Sequence, residues 1–211
     1  MIEKALKLYQ NAPIHRHLLL NLLKTYKRPN DKISEMLKNK ELIALKRGLY
    51  VPGEKMDLKR PSLFSIANHL YGPSYVSLTS ALSYWGLIPE KVVEISSVTT
   101  KPSKVFRNEL GRFRYQKLPL PYYSQGIKQV QINEQQTVLM ASAEKAICDL
   151  IILTPGVNLR SRKQTVAFLV EDLRIQEEEL FLLNTKEIAH WLTSAHKASS
   201  IKTLVNTLES L

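Results

Sequence analysis

ELIALKRGLYVP, residues 41–52, is the stretch on which the fold turns. Two short apolar runs flank Lys46-Arg47-Gly48, and glycine supplies the turn a tight hairpin needs, so a two-stranded ribbon is predicted here. Immediately upstream, Asn30 or Asp31 caps a short helix over Asp31–Asn39. Its Ile33, Met36 and Leu37 point inward, and Lys32, Ser34, Glu35, Lys38 and Asn39 are left outside. Further back, Pro13 suits a helix start, and Ile14, Leu18, Leu22 and Tyr26 repeat every four residues, with Leu19 and Leu23 widening the apolar stripe. Lys27-Arg28-Pro29 ends that helix, because a residue before proline avoids the helical region. Ile2, Ala5, Leu6 and Tyr9 suggest two helical turns over residues 1–9. Helices followed at once by a ribbon form the winged helix-turn-helix layout, expected over residues 1–55.

Charge follows the same division. Residues 1–60 hold 14 Lys/Arg against 6 Asp/Glu, residues 61–150 hold 9 against 6, and residues 151–211 hold 7 against 7. Most of the net +11 therefore sits on the helix–helix–ribbon segment. A concentrated positive field on such a framework is the footprint of phosphate recognition, and duplex DNA is the expected partner.

Beyond the ribbon, Pro52–Arg60 reads as an exposed linker. An α+β unit is expected over residues 61–153. It comprises a helix at Leu63–Leu70, a strand at Tyr75–Leu78, a helix at Ala81–Trp85 and a strand at Val92–Thr99. Alternating strands then fall near Arg112–Gln116, Lys128–Ile132 and Thr137–Met140, followed by a helix over Ala141–Leu153. Thr154-Pro155-Gly156 breaks the pattern. Helices fill residues 157–211, roughly at Ser161–Leu173, Glu177–Leu183, Thr185–His196 and Ser200–Leu211. The whole reads as α+β: a winged helix-turn-helix, a mixed middle unit and a helical C-terminal unit.

Candidate DNA contacts are Lys46 and Arg47 at the ribbon tip, for phosphates or a minor groove. On the short helix Lys32, Ser34, Lys38 and Asn39 are candidates for phosphates or base edges. Residues 101–115, KPSKVFRNELGRFRY, interleave Lys101, Lys104, Arg107, Arg112 and Arg114 with Phe106, Phe113 and Tyr115. Such mixing can bind single-stranded nucleic acid or a partner. A solvated loop running into a half-buried strand accounts for it better. The acidic-apolar run Glu171–Leu183 is a candidate protein-binding face, although a helix pair packed within its own domain is the stronger account.

Several chemistries lack their residues. There is no glycine-rich phosphate loop and no nucleophile elbow. The five histidines lack partners at metal-ligand spacing, and His15 and His17, two apart on a helix, should face different ways. Glu144 and Asp149 read as surface helix carboxylates. No catalytic residue, metal or cofactor is assigned, and a basic metal-dependent nuclease is the weaker alternative. Cys148 is the single cysteine, so no internal disulfide forms, and its apolar setting suggests a buried, inert thiol. The opening MIEKALKLYQ lacks a signal-peptide core and no apolar run spans a bilayer, so a cytoplasmic location away from membranes is expected.

The combination resembles a known family. LKRGLYVP closes a short winged helix, PSLFSIANHLYGPSYVSLTSALSYWGL follows from Pro61, and ASAEKAICDLI comes after a β-rich middle. Together these resemble the AbiEi-type antitoxins, predicted transcriptional regulators of abortive-infection phage defence. The most specific pieces are the RGLY ribbon end and Tyr75, Ser77, Ser80, Ala81 and Leu82. The resemblance spans about residues 14–153 and implies two roles. The winged helix would repress its operon at inverted repeats, through the Asp31–Asn39 helix and Lys46-Arg47. The remainder would counteract a nucleotidyltransferase-like toxin, with or without binding it directly. A regulator of DNA or RNA without antitoxin activity is the alternative.

Overall fold

The computed structural model describes residues 6–90 and 93–211; the expectations for Ile2 and Ala5, and for Val92 as a strand start, lie outside them. The chain is mixed α+β, with a three-stranded and a six-stranded sheet. After a 3-10 turn at Lys7–Tyr9 come β1 (Ile14–His15), α1 (Arg16–Leu22), α2 (Pro29–Lys38), β2 (Leu42–Lys46) and β3 (Leu49–Pro52). The ribbon forms as expected, with Gly48 at φ 82° in its turn. Pro29 occupies the first turn of α2, where its missing N–H costs nothing.

The first helix differs from its periodicity. Ile14 and His15 are extended and pair with Tyr50 and Leu49, so β1 is a third strand beside the ribbon. The four-residue apolar repeat is satisfied differently, by Ile14 from a strand and by Leu19 and Leu23 from the helix and its end, all fully buried. Tyr26, predicted inside, is exposed.

The large sheet has the order β6-β7-β5-β4-β9-β8. Its strands are β4 (Ser74–Val76), β5 (Glu94–Thr99), β6 (Lys104–Asn108), β7 (Gly111–Lys117), β8 (Ile127–Asn133) and β9 (Gln136–Ala141). β5–β7 and β4–β9 run parallel, and the other neighbours run antiparallel. β6 corrects the loop expected at the head of residues 101–115. Val105 pairs with Arg114 and Phe106 with Phe113, and Gly111 at φ 136° closes the turn. The helices packed on this sheet are α3 (Leu63–Leu70), α4 (Leu78–Tyr84) and α5 (Ala143–Leu153). α4 begins three residues before its predicted start, with Leu78 itself at φ 58°. Last come α6 (Arg162–Val166), a π-helical continuation at Ala167–Asp172, α7 (Glu177–Leu180), α8 (Thr185–Trp191) and α9 (Ala198–Leu208).

The core explains how these parts hold together. A small cluster gathers Leu6, Ile14, Leu19, Leu23, Ile33, Met36, Leu42 and Tyr50. A large one runs from the ribbon through both sheet faces to Ile201, Leu204 and Leu208, so the C-terminal helices and the sheet share one interior. The ribbon belongs to both. Its Leu42 and Tyr50 side faces the N-terminal helices, and Ile43, Leu45, Leu49 and Val51 enter the large core. Burying these four contributes on the order of 6–12 kcal/mol as an upper bound. The segment after it, expected as a free linker, is tied back. Gly53 N donates to Glu41 O at 2.8 Å, Lys55 N donates to Lys40 O at 3.2 Å, and Met56 and Leu58 pack on the small cluster.

Candidate nucleic-acid interface

The exposed face of α2 carries less free charge than its sequence suggests. Lys32 Nζ donates to Glu35 at 2.8 Å and lies 5.9 Å from the Tyr26 ring centre, and the Glu35 hydrogen bond raises its pKa. Ser34 Oγ donates back to Asn30 O at 3.1 Å, so its hydrogen is used within the helix. Asn39, at the helix end, is half-buried with its amide near Glu41. Lys38 and Arg47 are exposed and, among the described residues, have no ion-pair partner. The exposed Arg28–Asp31 pair at 3.7 Å is worth about 0–1 kcal/mol.

Lys46 points away from the ribbon tip. Its Nζ donates to the Leu70 carbonyl at 2.6 Å, at the C-terminal end of α3, where the helix dipole favours a cation. Lys101 Nζ donates to the neighbouring Gly72 carbonyl. Lys101 and Lys104 stand 5.3 and 5.7 Å from the Tyr71 ring centre, and Lys104 is 4.9 Å from that of Phe106. Burial, then the charges of Lys101 and Lys104, lower the Lys46 pKa. Nearby, His15 and His17 stack with ring centres 5.7 Å apart, because His15 is in a strand and not on the helix that would have turned it away. Burial, then His17, Lys46 and His69, lower the His15 pKa. Arg16, between the two histidines, reaches α2 through Nη2 to Asn30 Oδ1 at 2.9 Å.

Four separate parts of the sequence thus converge: His15-Arg16-His17, Lys46, His69 and Lys101–Lys104. The charges of Lys101 and Lys104 act on Lys46 and that of Lys46 acts on His15, and among the described residues none of these three lysines has an ion-pair partner. Like charges held together without a carboxylate form a ready anion site. The spacing of the histidines gave no signal of it, since β1–β3 pairing and the packing of the ribbon bring them in.

The five cations of residues 101–115 do not act together. On β6 and β7 side chains alternate, so Lys104 and Phe106 share one face with Phe113 and Tyr115, and Arg107, Arg112 and Arg114 share the other. Glu94 on β5 engages both Arg112 and Arg114, the latter at 2.7 Å. Lys101 and Lys104 therefore join the Lys46 cluster, and the three arginines face away from it, two of them paired.

A second polar cluster lies inside the protein. Asp149, read from sequence as a surface carboxylate, is fully buried, as is Lys145 one turn earlier. Lys145 Nζ meets Asp149 Oδ1 at 3.0 Å, donates to Tyr122 O at 3.1 Å and sits 3.2 Å from the Tyr122 ring centre. Asp149 Oδ2 accepts from Tyr75 at 2.9 Å and Ser77 at 2.7 Å. Burial pulls the Lys145 pKa down despite Asp149. Burial also pushes the thiol of fully buried Cys148 far up, as an inert cysteine requires. With no exposed atom to meet a substrate, the pair is structural.

Among the described residues no three His, Cys, Asp or Glu side chains gather as a metal site. No helix there is long and apolar enough to cross a membrane. The class is thus a mixed α+β protein carrying a cationic surface cluster. No protein-family model and no curated protein matches the sequence. The fold is similar to that in the crystal structure of the RV2827C protein from Mycobacterium tuberculosis. The TM-score is 0.63 at 12% identity, over 98% of this chain and 75% of that one. That likeness extends through nearly all of the architecture described above.

Proposed function

We propose that this chain is a DNA-binding antitoxin that represses its own operon and counteracts a nucleotidyltransferase-like toxin. In this reading residues 1–55 are a winged helix-turn-helix, with β1 as its third strand. α2 enters the major groove, and the ribbon tip with Arg47 lies along the backbone. The observation that carries the proposal is the cluster of Lys46, Lys101 and Lys104, without an ion-pair partner among the described residues, beside His15, His17 and His69 and joined to α2 through Arg16. A surface of this sign, next to a helix with exposed Lys38, suits a polyanion with closely spaced phosphates. Lys46 acts by holding α3 and raising the local potential, and Lys101 and Lys104 bind phosphates. The antitoxin role and a cytoplasmic location rest on the sequence resemblance.

The test is binding of the full chain to the DNA upstream of its gene, to unrelated duplex and to single-stranded RNA, across salt concentrations. Lys101→Ala with Lys104→Ala should weaken both duplexes alike and make the salt slope of log K shallower by about 1 for each phosphate no longer neutralised. Lys38→Ala should do the same. Asn39→Ala should narrow the gap between the two duplexes, by about 1–3 kcal/mol where its amide bonds a base edge. Equal binding by all variants, or preference for the RNA, overturns the DNA assignment. Growth rescue of cells expressing the neighbouring toxin gene tests the antitoxin role separately.

A further inference from the structure

We propose that the cleft beside β8, one of the two edge strands of the large sheet, is a docking site for an extended, basic segment of a protein partner. The cleft has a volume of about 640 Å³ and is lined by Lys128, Gln129, Val130 and Gln131 of β8. Side chains alternate along a strand, so a cavity touching four residues in a row runs beside its backbone. Among the described residues β8 pairs with β9 alone, and an edge strand offers unpaired N–H and C=O groups to an added chain.

The walls specify the occupant. Its apolar lining comes from Trp85 and Leu87 and from Leu182 and Leu183. Leu182 is 75% exposed and the adjacent Phe181 63%, an unusual apolar exposure next to a cavity. Around them lie Glu144, Glu179 and Glu187. Among the described residues Lys128 is the one cation lining the cleft, and it is 3.7 Å from Glu187. An acidic, apolar cleft on a chain of net +11 is a local reversal of sign. Alternating apolar and Lys/Arg residues in an extended partner would seat the first against Trp85 and Leu182 and pair the second with the carboxylates. This is independent of DNA binding, which uses the cationic cluster.

The probe is an eight-residue, end-capped peptide of alternating Lys and Val, titrated into the full-length protein and followed by tryptophan fluorescence. Trp85→Phe assigns the signal, since Trp191 is buried. Saturable binding below about 1 mM is expected, with none for the matching Glu–Val peptide. N-methylation of alternate peptide amides should abolish it, because strand addition needs those N–H groups. Glu179→Lys with Glu187→Lys should weaken it at least tenfold, and Leu182→Ala, at an exposed position that leaves the fold intact, should weaken it several-fold. No binding by the Lys–Val peptide, equal binding by the methylated peptide, or equal binding by both variants overturns the proposal. A dimer of the protein alone that Leu182→Asp dissociates also overturns it, because the occupant would then be a second copy.

Discussion

Replacing Asp149 by alanine should be among the most damaging single changes to this fold. The carboxylate is fully buried, neutralises a fully buried Lys145, and accepts from the hydroxyls of Tyr75 and Ser77. Breaking a buried ion pair by removing one partner costs about 3–5 kcal/mol. Each hydroxyl left without its acceptor adds about 1–3 kcal/mol. These costs overlap, because Lys145 can shed its proton once the anion is gone. We expect about 4–6 kcal/mol in total, a large part of an ordinary domain's stability of about 5–15 kcal/mol. For a chain of this size that lowers the melting temperature by roughly 10–20 °C. The double variant Lys145→Met, Asp149→Leu removes both charges and should lose markedly less than Asp149→Ala, since no lone charge remains inside. Urea unfolding at pH 7, followed through buried Trp191, measures both. A cost under about 1 kcal/mol for Asp149→Ala, or a double variant as unstable as the single, would refute the reasoning.

Gly126→Ala should be destabilising by more than about 1 kcal/mol. A Cβ there would stand 2.8 Å from Lys145 Cβ and 2.8 Å from Trp191 Cζ2, at φ 65°, and thermal unfolding measures the effect. Gly53→Ala should also destabilise, by displacing the Lys40 carbonyl that crowds the new Cβ, whereas Gly86→Ala meets no neighbour within 4 Å among the described residues and should show only its backbone strain in the same assay. The His15 pKa is lowered from 6.5, so the unfolded chain takes up that proton first on acidification. Its contribution to stability is present above about pH 6.5 and is lost as pH falls through the folded value. Phosphates favour the charged imidazole, so DNA affinity should instead rise from about pH 7.5 to about pH 5.5, less so in His15→Gln. Equal affinity at both pH values would remove His15 from the interface.

Much of the secondary structure was legible because it rests on local chemistry. The ribbon follows from apolar runs about Gly48, and α3 and α5 from their apolar-rich runs at Leu63–Leu70 and Ala141–Leu153, whose starts the structure caps with Ser62 and Ser142. The errors are tertiary. Ile14 has helical spacing but pairs with Tyr50, and its partner lies 36 positions away. β6 is half exposed and strongly charged, and only its register with β7 makes it a strand. Asp149 sits on a helix whose other faces are apolar, so its burial depends on Lys145, Tyr75 and Ser77 converging on it. At the candidate interface Lys38 and Arg47 are exposed. The grouping of Lys46 with Lys101 and Lys104, and the separation of those lysines from three nearby arginines, depend on which side of a strand each residue occupies.

The two dry sides of the β2–β3 ribbon have a consequence for how this protein can be altered by recombination. A cassette of its first 55 residues cannot be exchanged for another by matching the outer helix alone. The incoming ribbon must also present side chains that fit under α3 and beside β6, at the positions of Ile43, Leu45, Leu49 and Val51. Point changes on the exposed face of α2 can therefore accumulate freely, but wholesale replacement would have to carry its neighbour's interior with it.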